Sequence, residues 1–234
     1  LIIKWFLMLG LLFLILSFVE NESFDQFAMI SEINIEETEN QFVTKEMVEE
    51  FIDHSKVFDD SIRIYDVDLH YLEQLLSRHP SIENVEAFVG HKGHVSISVV
   101  QREPIVRIIS KEESYYLDAN GNIIPLSDNY TARLVVVTGE VDDTHHSDIL
   151  NFVNILSESP FWNSQITQIH FIKQEFILVP RVGEHKIHFG QLDKIKEKLD
   201  NLYHFYKEAM PIKGWQTYSD ISLKYNNQIV CTKK

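Results

Sequence analysis

A proline between two β-patterned runs is the feature that most constrains the fold. In the stretch VVQREPIVRI, residues 99–108, an alternating apolar run ends just before Pro104 and a second apolar run starts just after it. Proline lacks the N–H that a central strand donates, and it favours an extended conformation in the preceding residue. The sequence therefore predicts two separate sheets, with their junction at Pro104.

The residues before the junction predict a strand, two helices and a hairpin. Thr44 is an N-cap with acidic residues in the next turn, which indicates a helix over Lys45–Asp53. Leucines at three- and four-residue spacing indicate a second helix, capped by Asp66 or Asp68 and ended by Pro80. Alternation indicates strands around Ile30, Ile33, Ile35, Val85, Ala87, Val89, Val95, Ile97 and Val99. Two helices can cover one face of such a sheet.

The residues after the junction are mainly β-patterned. Short apolar runs predict strands at 105–109, 114–117, 123–126, 134–137, 166–171, 176–180 and 185–189. Helices are predicted at 148–158 and from Leu192 to Tyr206, and a final hairpin turns at Asn226-Asn227. The predicted fold class is α+β, with a mainly antiparallel β domain and flanking helices.

The N-terminal residues 1–19 are apolar except for Lys4, and their length is close to that needed to cross a bilayer. The run lacks the small-x-small cleavage site of a signal peptide, so we predict an uncleaved transmembrane anchor. Lys4 precedes the run while Glu20 and Glu22 follow it, which predicts a cytoplasmic N-terminus and an extracytoplasmic remainder. Residues 20–28 are expected to form a linker.

Composition excludes one class of partner. The net charge is −14, with 35 acidic and 21 basic residues, whereas binding to nucleic acid depends on clustered lysine and arginine. The single cysteine, Cys231, permits no internal disulfide, so the fold must be held by packing.

Motifs that could carry chemistry are weak. DANGN, from Asp118, resembles the start of a calcium loop but has asparagine at the twelfth position, where that loop needs glutamate, so a hairpin turn is predicted. His145 and His146 are sequence neighbours, and His185 and His188 are three apart in a predicted strand, so neither pair favours metal. No catalytic, cofactor or metal site, and no small-molecule substrate, is predicted.

The last strand of the terminal hairpin is a candidate for a free sheet edge. As the final element of the chain it can lie at a sheet edge, and a free edge can recruit a strand from another protein. Only Lys233-Lys234 are placed to protect it. An edge without a function is the alternative.

Four stretches resemble the bacterial division family FtsQ/DivIB. Residues 67–108, VDLHYLEQLLSRHPSIENVEAFVGHKGHVSISVVQREPIVRI, resemble the POTRA domain of that family and its Q-R-x-P junction. YYLDANGNIIPLS followed by LVVVTG is similar to the opening of its β domain, IHFGQLDKIKEKLDNL to a later segment, and YSDISLKYNNQIV to its closing hairpin. The order and spacing of these stretches carry the resemblance.

The resemblance implies a domain organisation and a role. It implies a transmembrane anchor at 1–19, a linker at 20–28, a POTRA domain at 29–103 and an FtsQ-type β domain at 104–234. It implies a non-enzymatic scaffold of the division septum, anchored in the cytoplasmic membrane, that links early and late division proteins.

The resemblance also implies partners. The β domain is expected to bind FtsB and FtsL by strand addition and through a neighbouring helix, with Tyr225, Gln228, Ile229 and Val230 as contact residues. The POTRA domain is associated with FtsK. Two alternatives stay open: a POTRA-type docking or chaperone subunit of a protein-export system, and a membrane-anchored hydrolase that uses the histidines with a metal.

Overall fold

A computed structural model describes residues 4–5, 8–14, 27–38, 40–57, 62–90 and 93–234. The chain divides into an N-terminal unit, Leu1–Arg102, and a C-terminal unit, Glu103–Lys234. Each unit has its own cluster of buried apolar residues.

Much of the predicted anchor and linker lies outside the described residues. Residues 4–5 and 8–14 are helical, and the rest of 1–19 is outside the described part, as are residues 20–26 of the linker. None of the helices formed by described residues combines the length and apolarity needed to cross a membrane. In the remainder of the predicted linker, Phe27 forms an antiparallel bridge with Arg63, and Ala28 is buried in the core of the N-terminal unit.

From residue 27 to residue 102, the described residues form one small sheet and two helices. The elements are β1 (Met29–Ile35), α1 (Lys45–Ser55), α2 (Leu69–Leu76), β2 (Ile82–Val89) and β3 (His94–Gln101), with a 3-10 turn at Ile64–Asp66. The strand order is β1-β3-β2, in which β1 runs parallel and β2 antiparallel to β3. The predicted β-α-α-β-β order is therefore present.

Side-chain caps fix where the two helices begin. Thr44 accepts a hydrogen bond from the backbone N–H of Met47 at 3.3 Å, and Asp68 Oδ1 accepts one from that of Tyr71 at 2.9 Å. Each cap satisfies an N–H group that the first helical turn leaves unpaired. Of the two predicted caps for α2, Asp68 is the one used. The fully buried residues of the helices include Ile52, Leu72 and Leu76.

The C-terminal unit is built on one large sheet. Its strands are β4 (Pro104–Ser110), β5 (Ser114–Asp118), β6 (Ile123–Pro125), β7 (Val136–Gly139), β8 (Ile166–Ile172), β9 (Glu175–Pro180), β10 (Lys186–Gly190), β11 (Tyr218–Ser222) and β12 (Val230–Lys233). Its helices are α3 (His146–Ser157), α4 (Pro160–Gln165), α5 (Ile195–Glu208) and α6 (Met210–Lys213), with a 3-10 turn at Asp143–His145.

The nine strands lie in the order β12-β11-β10-β9-β8-β7-β4-β5-β6. Five neighbouring pairs are antiparallel, while β4 and β7, β7 and β8, and β10 and β11 are parallel. Parallel neighbours need a crossover, and helices supply two of them. The segment with α3 and α4 connects β7 to β8, and the segment with α5 and α6 connects β10 to β11.

The two longer helices of the C-terminal unit pack their apolar faces on the sheet core. Phe152 and Leu156 of α3 and Leu202 and Tyr206 of α5 are at most 3% exposed. One glycine, Gly139 at the end of β7, permits close strand contact: its φ is +119°, and a Cβ there would lie 2.0 Å from the carbonyl oxygen of Phe171.

Three details differ from the sequence prediction. A short helix, α4, begins at Pro160, where the sequence predicts only the end of a helix, because proline is well suited to the first helical turn. Pro211 likewise lies within a four-residue helix rather than simply beyond α5. His185 precedes β10 instead of belonging to it.

Candidate functional site: the edge of the terminal hairpin

Strand β12 lies at one end of the nine-stranded sheet. It pairs antiparallel with β11, and no other strand in the described part of the chain pairs with it. Its second edge therefore carries backbone N–H and C=O groups that no described strand uses. Such an edge can accept a strand from another protein.

The register of the hairpin determines which backbone groups face the free edge. Lys234 donates its backbone N–H to the carbonyl oxygen of Thr217 at 3.2 Å, so this end of the strand is aligned with β11. Backbone groups alternate in direction along an antiparallel strand. The irregularity in the ladder adds Ser219 on the β11 side, so the alternation along β12 is unbroken. Cys231 and Lys233 therefore direct their backbone N–H and C=O groups toward the free edge.

The side chains of β12 divide between core and solvent. Cys231 packs against the core of the unit, and burial raises the pKa of its thiol. Val230 is 44% exposed, and Thr232 and Lys233 are exposed as well. The strand thus presents one side chain to the core and three to solvent.

The four residues predicted to contact a partner lie around the start of β12. Val230 is its first residue, and Tyr225, Gln228 and Ile229 belong to the preceding turn and loop. Tyr225 is 54% exposed and Gln228 is exposed, whereas Ile229 packs partly against the core. The structure brings the four together, and their role in partner binding stays a prediction.

The loop before β12 borders the start of α5. A shallow depression of about 20 Å³ lies between them, lined by Tyr225 and Ile229 on the loop and by Glu197 and Asn201 on the helix. The loop that leads into the free edge and one face of α5 are therefore side by side.

Charged contacts connect the terminal hairpin to the rest of the sheet. Lys234 Nζ lies 2.5 Å from Glu184 Oε2, and His188 Nε2 lies 2.7 Å from Asp220 Oδ1. Hydrogen bonds from His188 and Ser219 lower the pKa of Asp220, and the bond and charge of Lys234 lower the pKa of Glu184. Solvent-exposed ion pairs contribute little to stability, so the parallel ladder between β10 and β11 is the main attachment of the hairpin to the sheet.

The opposite edge of the sheet, formed by β6, is shorter and blocked. Asp118 donates its backbone N–H to the carbonyl oxygen of Asn122 at 3.1 Å. Alternation from that bond directs the backbone groups of Ile123 and Pro125 outward. Proline has no N–H to donate, so Pro125 would offer an incoming strand a carbonyl oxygen but no donor. Of the two edges, β12 is the one suited to strand addition.

Sequence reasoning missed Cys231 and Lys233 as the residues whose backbone faces the free edge. The alternation of side chains in IVCTK fixes which residues share a direction, but the direction itself depends on the register with β11. The sequence therefore shows that Cys231 and Lys233 share a direction, but not that this direction is toward the free edge.

Two family models match this chain. The model described as FtsQ/DivIB, C-terminal related, matches residues 103–232, more than half of the chain.

The chain belongs to the FtsQ/DivIB family.

A POTRA-like domain model matches residues 30–100 of this FtsQ/DivIB-family chain. No curated protein matches it. The FtsQ/DivIB family consists of non-enzymatic cell-division proteins. The family resemblance stated from the sequence is therefore confirmed.

The histidines considered as metal ligands in this FtsQ/DivIB-family chain have other contacts. His146 Nε2 lies 2.7 Å from Tyr115 Oη, His185 Nε2 lies 2.5 Å from Tyr206 Oη, and His188 pairs with a carboxylate of β11. Burial, with nearby acidic side chains, raises the pKa of Tyr115 to about 12. Among the described residues, no group of three or more His, Cys, Asp or Glu side chains is arranged to hold a metal ion.

The DANGN stretch forms a hairpin turn. Asp118 Oδ1 accepts hydrogen bonds from the backbone N–H groups of Asn120 at 2.9 Å and Asn122 at 2.8 Å. Its Oδ2 accepts one from the side-chain amide of Asn122 at 2.8 Å. The carboxylate thus stabilises the turn, and the hairpin turn predicted from the sequence is confirmed.

Proposed function

We propose that this FtsQ/DivIB-family chain is a division scaffold, anchored once in the cytoplasmic membrane through residues 1–19, with its two folded units on the extracytoplasmic side. In this role it links early and late division proteins at the septum and catalyses no reaction. Family membership supports the division role. It also favours this role over that of an export subunit, because the FtsQ/DivIB model covers most of the C-terminal unit and not the POTRA-like region alone.

The partners we propose are FtsB and FtsL, bound by addition of a strand to β12 with further contacts to α5. The observation that carries this proposal is the free edge, toward which Cys231 and Lys233 direct their backbone groups. In strand addition, backbone hydrogen bonds supply affinity and alternate side chains supply specificity. The proposed specificity contacts beside this edge are Tyr225, Gln228 and Val230. Ile229, which packs partly against the core, is the fourth proposed contact residue.

A proline at Lys233 tests the mechanism. Proline is tolerated on an edge strand where the N–H faces outward, so Lys233→Pro should leave the hairpin folded while it removes a donor from the free edge. We expect FtsB binding to weaken about tenfold or more, because one hydrogen bond is lost and the ring obstructs the incoming strand. Binding is measured by titration of the wild type and the variant with FtsB.

Two matched variants make the test specific. Lys233→Ala removes the charge but keeps the N–H and should bind like the wild type. Ile123→Pro places the same residue at an outward position of the opposite edge and should also bind like the wild type. Strand addition at β12 is contradicted if Lys233→Pro, folded by circular dichroism, retains wild-type affinity.

Substitutions at the predicted contact residues separate two effects. Ile229 precedes Cys231 by two positions, so Ile229→Pro removes another outward N–H, whereas Val230→Pro removes one that faces β11. The first should weaken FtsB binding in a pull-down, and the second should also lower the thermal midpoint. Ile229→Lys that binds FtsB as strongly as the wild type would count against the assigned contacts.

Location and the POTRA-like unit need separate tests. We propose that the chain concentrates at the septum and that its POTRA-like unit contributes to recruitment and to contact with FtsK. A fluorescent fusion should form a band at midcell in dividing cells. An even signal around the envelope would contradict the scaffold role, and a septal band that persists without residues 30–100 would contradict recruitment by that unit.

A further inference from the structure

A cavity of about 470 Å³ in the C-terminal unit lies apart from the terminal hairpin. It is bordered by the starts of β4 and β8, the residues just before β7, and the C-terminal half of α3. Its lining residues include two arginines, Arg133 and Arg181, and none of the residues that form it belongs to β11, β12 or the loop between them. Its volume is within the range of about 300–1,000 Å³ that is typical of ligand sites.

Arg181 is held in place with unused donors. Its backbone N–H donates to the carbonyl oxygen of Gln165 at 2.6 Å, and its Nε donates to that of Ser164 at 2.9 Å. No described residue accepts a hydrogen bond from its terminal amino groups. Those two groups therefore remain available at the cavity wall, on an exposed side chain that the bond from Nε orients.

Arg133 adds a second positive charge to the same cavity. It makes no hydrogen bond or ion pair with any described residue, and its side chain is exposed. None of the described residues lining the cavity is acidic. Since the chain has 35 acidic residues against 21 basic ones, two arginines without a carboxylate beside them form an unusual local charge.

The remaining walls distinguish between kinds of anion. Val153 and Ile166 are buried and supply an apolar floor, while the side-chain amides of Asn154 and Asn163 are exposed at the rim. An inorganic anion accepts hydrogen bonds and needs only donors from its site. A peptide backbone has both N–H and C=O groups, and an amide side chain offers an acceptor and a donor to pair with them. Arginine donors, amide groups and an apolar floor together match a peptide that carries a carboxylate beside an aliphatic side chain.

We propose that this cavity binds a short acidic peptide segment of a partner protein. Arg133 and Arg181 hold its carboxylate by charge-assisted hydrogen bonds. The neighbouring aliphatic side chain of the peptide packs on the floor formed by Val153 and Ile166. The site is separate from β12, so it persists whether or not strand addition at the hairpin is correct.

The test uses two blocked tetrapeptides and the full chain in detergent. The acidic probe is acetyl-Leu-Glu-Leu-Glu-amide, and the matched neutral probe is acetyl-Leu-Gln-Leu-Gln-amide. We expect calorimetric titration to give at least about fivefold tighter binding of the acidic probe at low salt, decreasing as salt is added. Arg133→Gln, which removes no contact within the described chain, should weaken binding of the acidic probe about tenfold, the effect of one lost charge-assisted pair.

Two further variants and two small anions complete the test. Arg78→Gln changes the net charge equally at an exposed position of the N-terminal unit and should have no effect. Arg181→Lys keeps the charge but loses the planar fork and should weaken binding of the acidic probe. The proposal is overturned if the acidic probe does not bind at millimolar concentration, if both probes bind equally, or if Arg78→Gln acts like Arg133→Gln. It is also overturned if acetate or inorganic phosphate binds as tightly as the acidic probe, because the site then takes small anions.

Discussion

The hydroxyl of Tyr206 lies 2.5 Å from Nε2 of His185 in the interior of the C-terminal unit. Tyr206 belongs to α5 and His185 lies just before β10, so the pair joins the long helix to the sheet. The other ring nitrogen of His185 is buried with no hydrogen-bond partner among the described residues. Burial lowers the pKa of His185 from 6.5, with a smaller effect from Lys234, and burial raises the pKa of Tyr206. Both groups are therefore neutral at pH 7.

We expect the C-terminal unit to lose stability as the pH falls below about 6.5. Because folding lowers the pKa of His185, the unfolded chain binds a proton there before the folded chain does. The contribution of His185 to the free energy of unfolding therefore falls as the pH drops from 6.5 toward its folded-state pKa, with a limiting slope of about 1.4 kcal/mol per pH unit for one proton. His185→Gln keeps a hydrogen-bonding group for Tyr206 but cannot titrate, so it should flatten this dependence in urea denaturation between pH 7 and pH 5.

A matched histidine serves as the control for the pH experiment. Burial also lowers the pKa of His79, which lies in the N-terminal unit. His79→Gln should change the pH dependence of that unit alone, as followed by hydrogen exchange residue by residue. An unchanged slope for the C-terminal unit in His185→Gln would assign the pH dependence to other groups.

The close strand contact at Gly139 predicts a severe effect of a single methyl group. Gly139→Ala would place a Cβ 2.0 Å from the backbone oxygen of Phe171 at a φ of +119°. We expect a loss of about 3 kcal/mol or more, because both the strained backbone and the overlap with another strand must be relieved. Gly121→Ala is the comparison: its φ is +84°, but its nearest neighbour is the Leu150 side chain at 3.5 Å, so about 1 kcal/mol is expected. Equal losses in thermal unfolding would contradict this account.

The carboxylate of Asp118 should contribute strongly to the stability of the β5–β6 hairpin. It accepts three hydrogen bonds within the turn, two of them from backbone N–H groups. Asp118→Ala leaves those donors unpaired and should cost about 3 kcal/mol, while Asp118→Asn keeps one acceptor and should cost about half as much. Urea denaturation measures both losses. Because the turn already uses both oxygens, millimolar calcium should leave the unfolding midpoint of the wild type unchanged, and a clear increase would show that the turn can rearrange around an ion.

The outer edge of the small sheet is protected by a side chain from α2. Glu73 Oε1 accepts the backbone N–H of Ala87, in β2, at 2.8 Å. Removing the carboxylate with Glu73→Ala should speed hydrogen exchange of the Ala87 amide about tenfold, since a bond to a charged acceptor is lost. Glu86→Ala, an exposed neighbour on the same strand, should leave that amide protected. Fast exchange of the Ala87 amide in the wild type would contradict the bond.

Local signals in the sequence account for most of the elements. Thr44 and Asp68 are recognisable caps, and both are used. Val95, Ile97 and Val99 alternate in the sequence and are fully buried in the central strand β3. These features depend only on neighbours within one turn or one strand, which is why sequence reasoning reaches them.

Pairing between distant strands could not be predicted in the same way. The parallel pairs β1 with β3, β7 with β8 and β10 with β11 depend on how the intervening helices return the chain to the sheet. Short helices such as the one beginning at Pro160 have too few residues to show a periodic pattern.

The candidate site shows the same division. The sequence predicts the turn of the final hairpin, and Asn227 adopts the positive φ of 57° that asparagine tolerates. Whether Cys231 or Val230 turns its backbone to the free edge depends on the ladder with β11, which no local pattern encodes. The contacts proposed for Tyr225, Gln228, Ile229 and Val230 stay predictions.

Because Pro125 removes a donor from the β6 edge, the two edges of the large sheet differ in their capacity to add a strand. Among the described strands, β12 is therefore the edge better suited to extension, and a second copy of the chain that paired its own β12 there in antiparallel would leave neither β12 edge exposed. If FtsB adds a strand at β12, as we propose, it and a second copy of the chain would compete for the same backbone groups. On that proposal, cells that make this chain in excess of FtsB would leave the β12 edge open to self-association, and balanced synthesis of the two proteins would protect it.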